Sequence, residues 1–334
     1  MTDSPATKIL VSVAAIFIII AGIKIAQPII VPVLIAFFLA LLTNPGVAAL
    51  IRLRVPTGLA IAVMVSLVFV FFYGVGSIIA SSSDSFIANF PQYTKQVEIW
   101  LNKLQEASPW LIDDIQKYID ELSPTDRMLS FAGTLFSGLG SVLTAIVLVL
   151  FTLIFSLYEA QSVSKKVKLA LGDDITINYV NRFSKLVQRY LLIKTLISAV
   201  TGLLVGVFLW MLGVDYPVIW GTLAFLMNFV PNIGSMLAAI PPVLLASIQL
   251  GLPGFLISMS GFVGINMIIG NLIEPKLMGR SLDISPLIVF LSLVFWGWVL
   301  GPVGMLLAIP LTVVVKIGLE IHPDTKWAAK ILSQ

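Results

Sequence analysis

YPVIWGTLAFLMNFVPNIGSMLAAIPPVLLASIQLGLPGFLISMSGFVGINMIIGNLIEPK occupies residues 216–276. Residues 216–273 carry no Asp, Glu, Lys, Arg or His; charge returns at Glu274 and Lys276. As one straight helix, 216–273 would be about 87 Å long, roughly three hydrocarbon thicknesses. Two breaks argue against that. Pro231-Asn232-Ile233-Gly234 and Gly251-Leu252-Pro253-Gly254 cut the stretch into pieces near 218–230, 236–250 and 255–273. The first two pieces are short for full crossings. Short apolar segments broken by Pro and Gly, beside a few polar side chains, are a sequence pointer to a transport site.

The rest of the chain is of the same kind. Of 334 residues, 58% are hydrophobic and 11% charged, against about 25% charged in a soluble domain. Further uncharged runs occupy 25–51, 55–83, 128–158, 195–214 and 284–315. Each can hold a spanning helix of ~20 residues. None has the ten-residue alternation of a membrane barrel. The expected fold class is all-α: a polytopic helical membrane protein with two Pro/Gly-broken hairpins in an inverted repeat and a small extracytoplasmic helical insert.

Local charge orients the spans. Residues 84–127 hold eight acids and four bases; residues 159–194 hold seven bases and three acids. Placing the basic loops in the cytoplasm sends 9–26 out, 28–43 back, 57–82 out, 134–158 back and 192–213 out. Both termini are then cytoplasmic. The segment 9–23 resembles a signal-peptide core, but another apolar run follows it, and it reads as an uncleaved first span. The expected organisation is scaffold spans over 1–83, an insert over 84–133, a fourth span with a cytoplasmic amphipathic helix over 134–191, a transport core over 192–320 and a tail over 321–334.

The acidic insert has helical periodicity in Tyr93, Val97, Trp100, Leu101 and Leu104, and again in Trp110, Ile115, Tyr118, Ile119 and Leu122. Ser108-Pro109 and Ser123-Pro124 read as helix starts. The stripe is read as packing of a small helical cap. The basic segment around Val180, Phe183, Val187 and Tyr190 reads as an interfacial amphipathic helix.

A repeat links two parts of the second half. Leu223-x-Phe225 leads through Asn228, Pro231 and Gly234 to Ala239-Ile240-Pro241. Leu293-x-Phe295 leads through Gly301, Pro302 and Gly304 to Ala308-Ile309-Pro310. Each is an apolar helix, a turn and a second apolar helix. If each is a hairpin that dips in and returns, its tip must be sheltered by protein or line a cavity, because unpaired backbone cannot face lipid.

Asn228-Phe-Val-Pro231-Asn232-Ile-Gly234-Ser235, Glu274-Pro275-Lys276-Leu-Met-Gly279-Arg280 and Trp296-Gly297 through Gly301-Pro302-Val-Gly304 to Pro310 together resemble the autoinducer-2 exporter family of bacterial permeases. Arg189-Tyr190 to Lys194 and Gly202 add to the likeness, which is strongest over 180–315. The resemblance implies a secondary permease of the bacterial inner membrane, with an elevator-like moving half. It also implies homo-oligomers, with a pentamer among the forms. It leaves two substrate classes open: a small polar signalling solute, or sodium exchanged for protons.

The candidate transport and substrate-binding residues are Asn228, Pro231, Asn232, Gly234, Ser235, Asn266, Asn271, Glu274, Pro275, Arg280, Asp283, Gly301, Pro302 and Gly304. Glu274 closes an apolar span, where a carboxylate is costly unless paired, hydrated or protonated. It reads either as a coupling carboxylate or as a surface salt bridge to Lys276 or Arg280. Asp283 reads as a second coupling group or a helix start. Asn228, Asn232 and Ser235 can bind a polyol, a carbonyl or a dehydrated cation, or can cap their own helix ends. Asn266 and Asn271 can bind solute or pack helices. Pro241-Pro242 reads as a helix end or kink.

Other classes are bounded. Without cysteine there are no disulfides or thiolate metal sites, and His322 is the one histidine. No Gly-x-x-x-x-Gly-Lys-Ser/Thr loop is present, so the chain carries no P-loop ATPase. A net charge of +3, scattered along the chain, makes no nucleic-acid surface. The expectation is a non-enzymatic permease without cofactor, using H+ or Na+ as coupling ion. Its partners are the bilayer and a small polar solute. The rival class is a non-transporting envelope scaffold acting through the insert.

Overall fold

The computed structural model describes residues 5–107, 146–162, 166, 174–231, 233–278, 284–321 and 325–332. Asn232, Arg280, Asp283 and the insert from 108 to 133 lie outside the described residues, as do Gly279 and His322. The described elements are helices: α1 Pro5–Ile25, α2 Gln27–Arg52, α3 Thr57–Ala107, α4 Ile146–Ala160, α5 Asp174–Leu212, α6 Pro217–Met227, α7 Ile233–Asn266, a π-helical segment Met267–Ile273, α8 Glu274–Met278, α9 Pro286–Leu306, α10 Ala308–Ile321 and α11 Lys326–Ile331. No strand occurs among the described residues.

Five stretches are long and apolar enough to cross a membrane: Gln27–Arg52, Thr57–Ser82, Ser184–Leu212, Ile233–Met278 and Pro286–Leu306. Their outer faces are apolar too. Leu67, Phe155, Trp210 and Met211 are exposed, the reverse of a soluble surface. The protein is an all-α polytopic membrane protein. α3 runs without interruption from its span to Ala107, and α5 runs from Asp174 through the next span to Leu212.

The chain divides into two compact units. One comprises Met1–Ser66, Ile146–Lys194 and Met278–Gln334; the other comprises Leu67–Ala145 and Thr195–Leu277. The first contains α9 and α10, the second α6 and α7. Each broken helix pair therefore belongs to a different unit.

The breaks are local backbone events. Inside α7 the one non-helical residue is Gly251 (φ 70°, ψ −156°), and inside α9 it is Gly301 (φ 68°, ψ −155°). This region of φ/ψ space is essentially open to glycine alone. Three residues on, a methyl at Gly254 would strike the carbonyl of Ala246, and one at Gly304 would strike that of Trp296. In a straight helix, positions eight apart are about 12 Å from each other, so the chain folds back on itself at both places. The backbone thus pairs Gly301–Gly304 with Gly251–Gly254, whereas the sequence repeat matches Gly304 with Gly234. Gly234 is tight in its own way: a methyl there would meet the Met227 carbonyl, because the chain turns after α6 at 228–231. Pro241 and Pro242 lie within α7 and do not end it.

Starts are set by residue chemistry. Pro217 opens α6 after Tyr216, and Pro286 opens α9 after Ser285, whose Oγ accepts from the Ile288 amide at 3.3 Å. In lipid, burial of apolar surface does little to join helices; close packing and interhelical hydrogen bonds do. In the second unit, Gly202 and Gly221 let α5 and α6 touch backbone to backbone. In the first, Gln188 donates to the Leu41 carbonyl at 2.9 Å. There too Trp296, Thr312 and Ser292 join α9 to α10: Trp296 Nε1 lies 3.1 Å and Ser292 Oγ 2.8 Å from Thr312 Oγ1.

Candidate transport site

α6 is 11 residues long, about 16 Å, half of a ~30 Å hydrocarbon layer. It ends at Asn228, a buried residue whose Nδ2 donates to Ser198 Oγ of α5 at 3.0 Å. A buried amide is costly unless bonded, and Ser198 takes one of its hydrogens. One turn away along both helices, Thr201 and Ala224 form part of a pocket that Ser235 of α7, Phe262, Ile265 and Asn266 complete. Its volume is about 10 Å³, room for a single water or a bare monovalent cation. Thr201 Oγ1 donates to the Ile197 carbonyl at 2.9 Å, which leaves its lone pairs to accept. Neither the Ser235 hydroxyl nor the Asn266 amide bonds to another described residue. The broken hairpin, the span before it and the span after it thus meet at one small pocket, whose lining includes Thr201, Ser235 and Asn266 but whose open wall is mostly apolar.

The other candidates are dispersed. Pro231 is half-buried in the turn before α7. Asn271 is exposed in the π-helical segment, Glu274 is half-buried at the start of α8 with an interaction partner, and Pro275 is exposed. Gly301, Pro302 and Gly304 build the break in the other unit. There the polar side chains are closed on one another through the Thr312 hydroxyl, which also bonds the Ala308 carbonyl at 2.8 Å. The sequence reading missed Ser198 and Thr201. Their signal is two hydroxyls at i and i+3 in an uncharged run, hence on one helix face. It also missed the π-helical segment, a form that concentrates at functional sites.

A second polar cluster lies beyond the α3 span. Tyr93 Oη donates to Asp215 Oδ2 at 2.7 Å, and Gln249 Nε2 donates to the same oxygen. Asn89 Nδ2 donates to Tyr216 Oη at 2.7 Å, and Tyr216 Oη donates to the Ser85 carbonyl at 3.0 Å. Trp220 Nε1 donates to the Asp215 carbonyl at 2.9 Å. Tyr216 is left-handed, with φ 58°, a conformation costly for a side-chain-bearing residue. The two hydrogen bonds and the Phe86 ring hold it there. Burial, then hydrogen bonding with Tyr216 and Asp215, pushes the Tyr93 phenol well above its ordinary value, so it remains a donor.

The sequence profile of the AI-2E family transporter matches residues 13–323. The chain belongs to the AI-2E transporter family. It is 36% identical over 335 residues to the AI-2 transport protein TqsA of Escherichia coli, covering 98% of this chain and 95% of that one. It is also 36% identical over 331 residues to an Escherichia coli protein named "Putative transport protein YhhT", covering 98% and 94%. A Haemophilus influenzae protein named "Putative transport protein" is 37% identical over 339 residues, covering 97% and 96%. The family resemblance in the Asn228, Glu274 and Gly301 motifs is therefore borne out. The chain is a bacterial membrane transporter.

Proposed function

We propose that the chain is a secondary permease of the inner membrane that exports a small polar solute of the autoinducer-2 kind. Its working half holds the two broken hairpins and moves in an elevator-like alternating-access cycle, in a homo-oligomer with cytoplasmic termini. The likeness to TqsA, an AI-2 transport protein, supports the solute class. The observation that carries the site is the small pocket that Thr201, Ser235 and Asn266 line behind a broken hairpin. Asn228 positions the hairpin end, and Glu274 serves as the coupling carboxylate. Loaded vesicles test this. Asn266→Leu and Glu274→Gln should each cut efflux of autoinducer-2 while the protein stays folded; efflux at the parental rate in both removes these residues from transport.

One observation favours a second reading of the same pocket. At about 10 Å³ it suits a dehydrated cation better than an organic solute. In that reading the chain is a sodium/proton antiporter, and sodium alone evokes proton movement in vesicles free of organic substrate. A vesicle with a pH-sensitive dye separates the two.

A further inference from the structure

A groove of about 640 Å³ opens on the side of the second unit, walled by α3, α5 and α6. Its lining is almost wholly apolar; the Thr222 hydroxyl within it is spent on the Val218 carbonyl at 2.8 Å. Along α5 it runs from Ala199 to Trp210, a rise of about 16 Å, close to half of a ~30 Å hydrocarbon layer. The edge-to-face contact of Phe71 with Phe225, centroids 5.8 Å apart, closes the inner end. Gly74 hollows the α3 wall, since a methyl there would meet nothing within 4 Å. A polar solute would find nothing to bond in this groove, and a single extended hydrocarbon chain matches its depth.

The outer end opens beside Pro217, directly after Asp215 and Tyr216. Asp215 is exposed and accepts from Tyr93 and Gln249 at Oδ2, while Oδ1 accepts from no described residue. A carboxylate has about four acceptor positions, so capacity remains. Its charge repels an anionic headgroup and attracts a cationic donor. A primary ammonium can donate to Asp215 Oδ1; a quaternary ammonium cannot.

We propose that the groove holds an acyl chain of a phospholipid with a primary-amine headgroup, its ammonium bonded to Asp215. The test is native mass spectrometry of the full chain in micelles containing equal phosphatidylethanolamine, phosphatidylglycerol and phosphatidylcholine with identical acyl chains. The parental protein should retain phosphatidylethanolamine over either rival by about tenfold, the scale of one hydrogen bond to a charged group. Gly74→Leu, where the first side-chain carbon meets nothing within 4 Å, should fill the groove and lose the retained lipid. Leu203→Trp, on the α5 wall, should do the same and covers a failure of the first variant to fold. Asp215→Asn should keep a lipid but lose the headgroup preference. Gly22→Leu, at another open glycine on α1, should behave as the parent. Equal retention of all three lipids by the parent, or unchanged retention in both groove-filling variants, overturns the proposal. So does a disulfide between two copies at Gly74→Cys, clean in a chain without cysteine, if the linked form holds no lipid.

Discussion

The breaks at Gly251 and Gly301 have the same backbone, with φ and ψ agreeing to within about 2°, yet their units treat polar side chains in opposite ways. Around Gly301 the polar groups are consumed: Thr312 bonds Ser292, Trp296 and its own helix. In the unit of Gly251, Asn228 is paired with Ser198, and Ser235 and Asn266 line a water-sized pocket. The shape of a broken helix therefore comes from a glycine with an open φ and a second glycine three residues on. What the break can bind comes from side chains elsewhere. At Thr312 the hydroxyl is spent on joining helices; Ser235 and Asn266 instead sit at a pocket.

The largest effects should fall on what the two units share. Gly254→Val and Gly304→Val each place a side chain into a carbonyl eight residues back and should cost about 4 kcal/mol or more. Thermal unfolding in detergent should show both variants misfolded to the same degree. If one is tolerated, the two corners are not equivalent.

Next comes a split in function. Asn266→Leu should lower vesicle flux about a hundredfold, near 2.7 kcal/mol of lost transition-state stabilisation, with the unfolding temperature nearly unchanged. Thr312→Val in the other unit should do the reverse, losing about 1–2 kcal/mol of stability with flux largely kept. Equal flux loss in both would erase the distinction between open and closed polar sites.

A finer comparison concerns the glycines with positive φ. Gly251→Ala should cost about 1–3 kcal/mol from backbone strain alone, since its side-chain position has only Pro253 Cδ nearby, at 3.9 Å. Gly301→Ala adds a contact with Gln27 Nε2 at 3.0 Å and should be the worse of the two. Paired melting curves decide it.

The smallest effect is a pH dependence. Tyr93 keeps its proton in the folded protein above the ordinary phenol value of about 10. The unfolded chain loses that proton first. The stabilisation is thus whole below about pH 10 and declines as pH rises further. Tyr93→Phe should remove the hydrogen bond to Asp215, at about 1 kcal/mol near neutrality, and flatten the alkaline part of the melting profile. An unchanged alkaline slope would mean that Tyr93 does not carry it.

Much of the fold was legible because membrane helices are written in long uncharged runs, and because Gly-Leu-Pro-Gly and Gly-Pro-Val-Gly combine an open φ with a residue that cannot extend the helix ladder. The register of the repeat was less legible. Ala-Ile-Pro recurs after both Gly234 and Gly304, but three apolar letters carry little geometry, and the backbone matches Gly304 with Gly254. At the site, Asn228, Ser235 and Asn266 stood out as polar residues in apolar company. Ser198 and Thr201 did not, because a lone hydroxyl in a spanning helix usually bonds its own backbone, as Thr201 does with Ile197. The π-helical turn at Met267–Ile273 leaves no pattern in the sequence, since its hydrogen bonds shift by one residue under tertiary packing.

The pocket beside the first broken hairpin should be open to water while the Thr312 network of the other unit stays closed. The chain has no cysteine, so single-cysteine labelling with a membrane-impermeant maleimide reads this directly. Ser235→Cys should be labelled in vesicles and protected by transported solute or sodium, and Ser292→Cys should remain unlabelled. An inert Ser235→Cys together with a reactive Ser292→Cys would contradict the account.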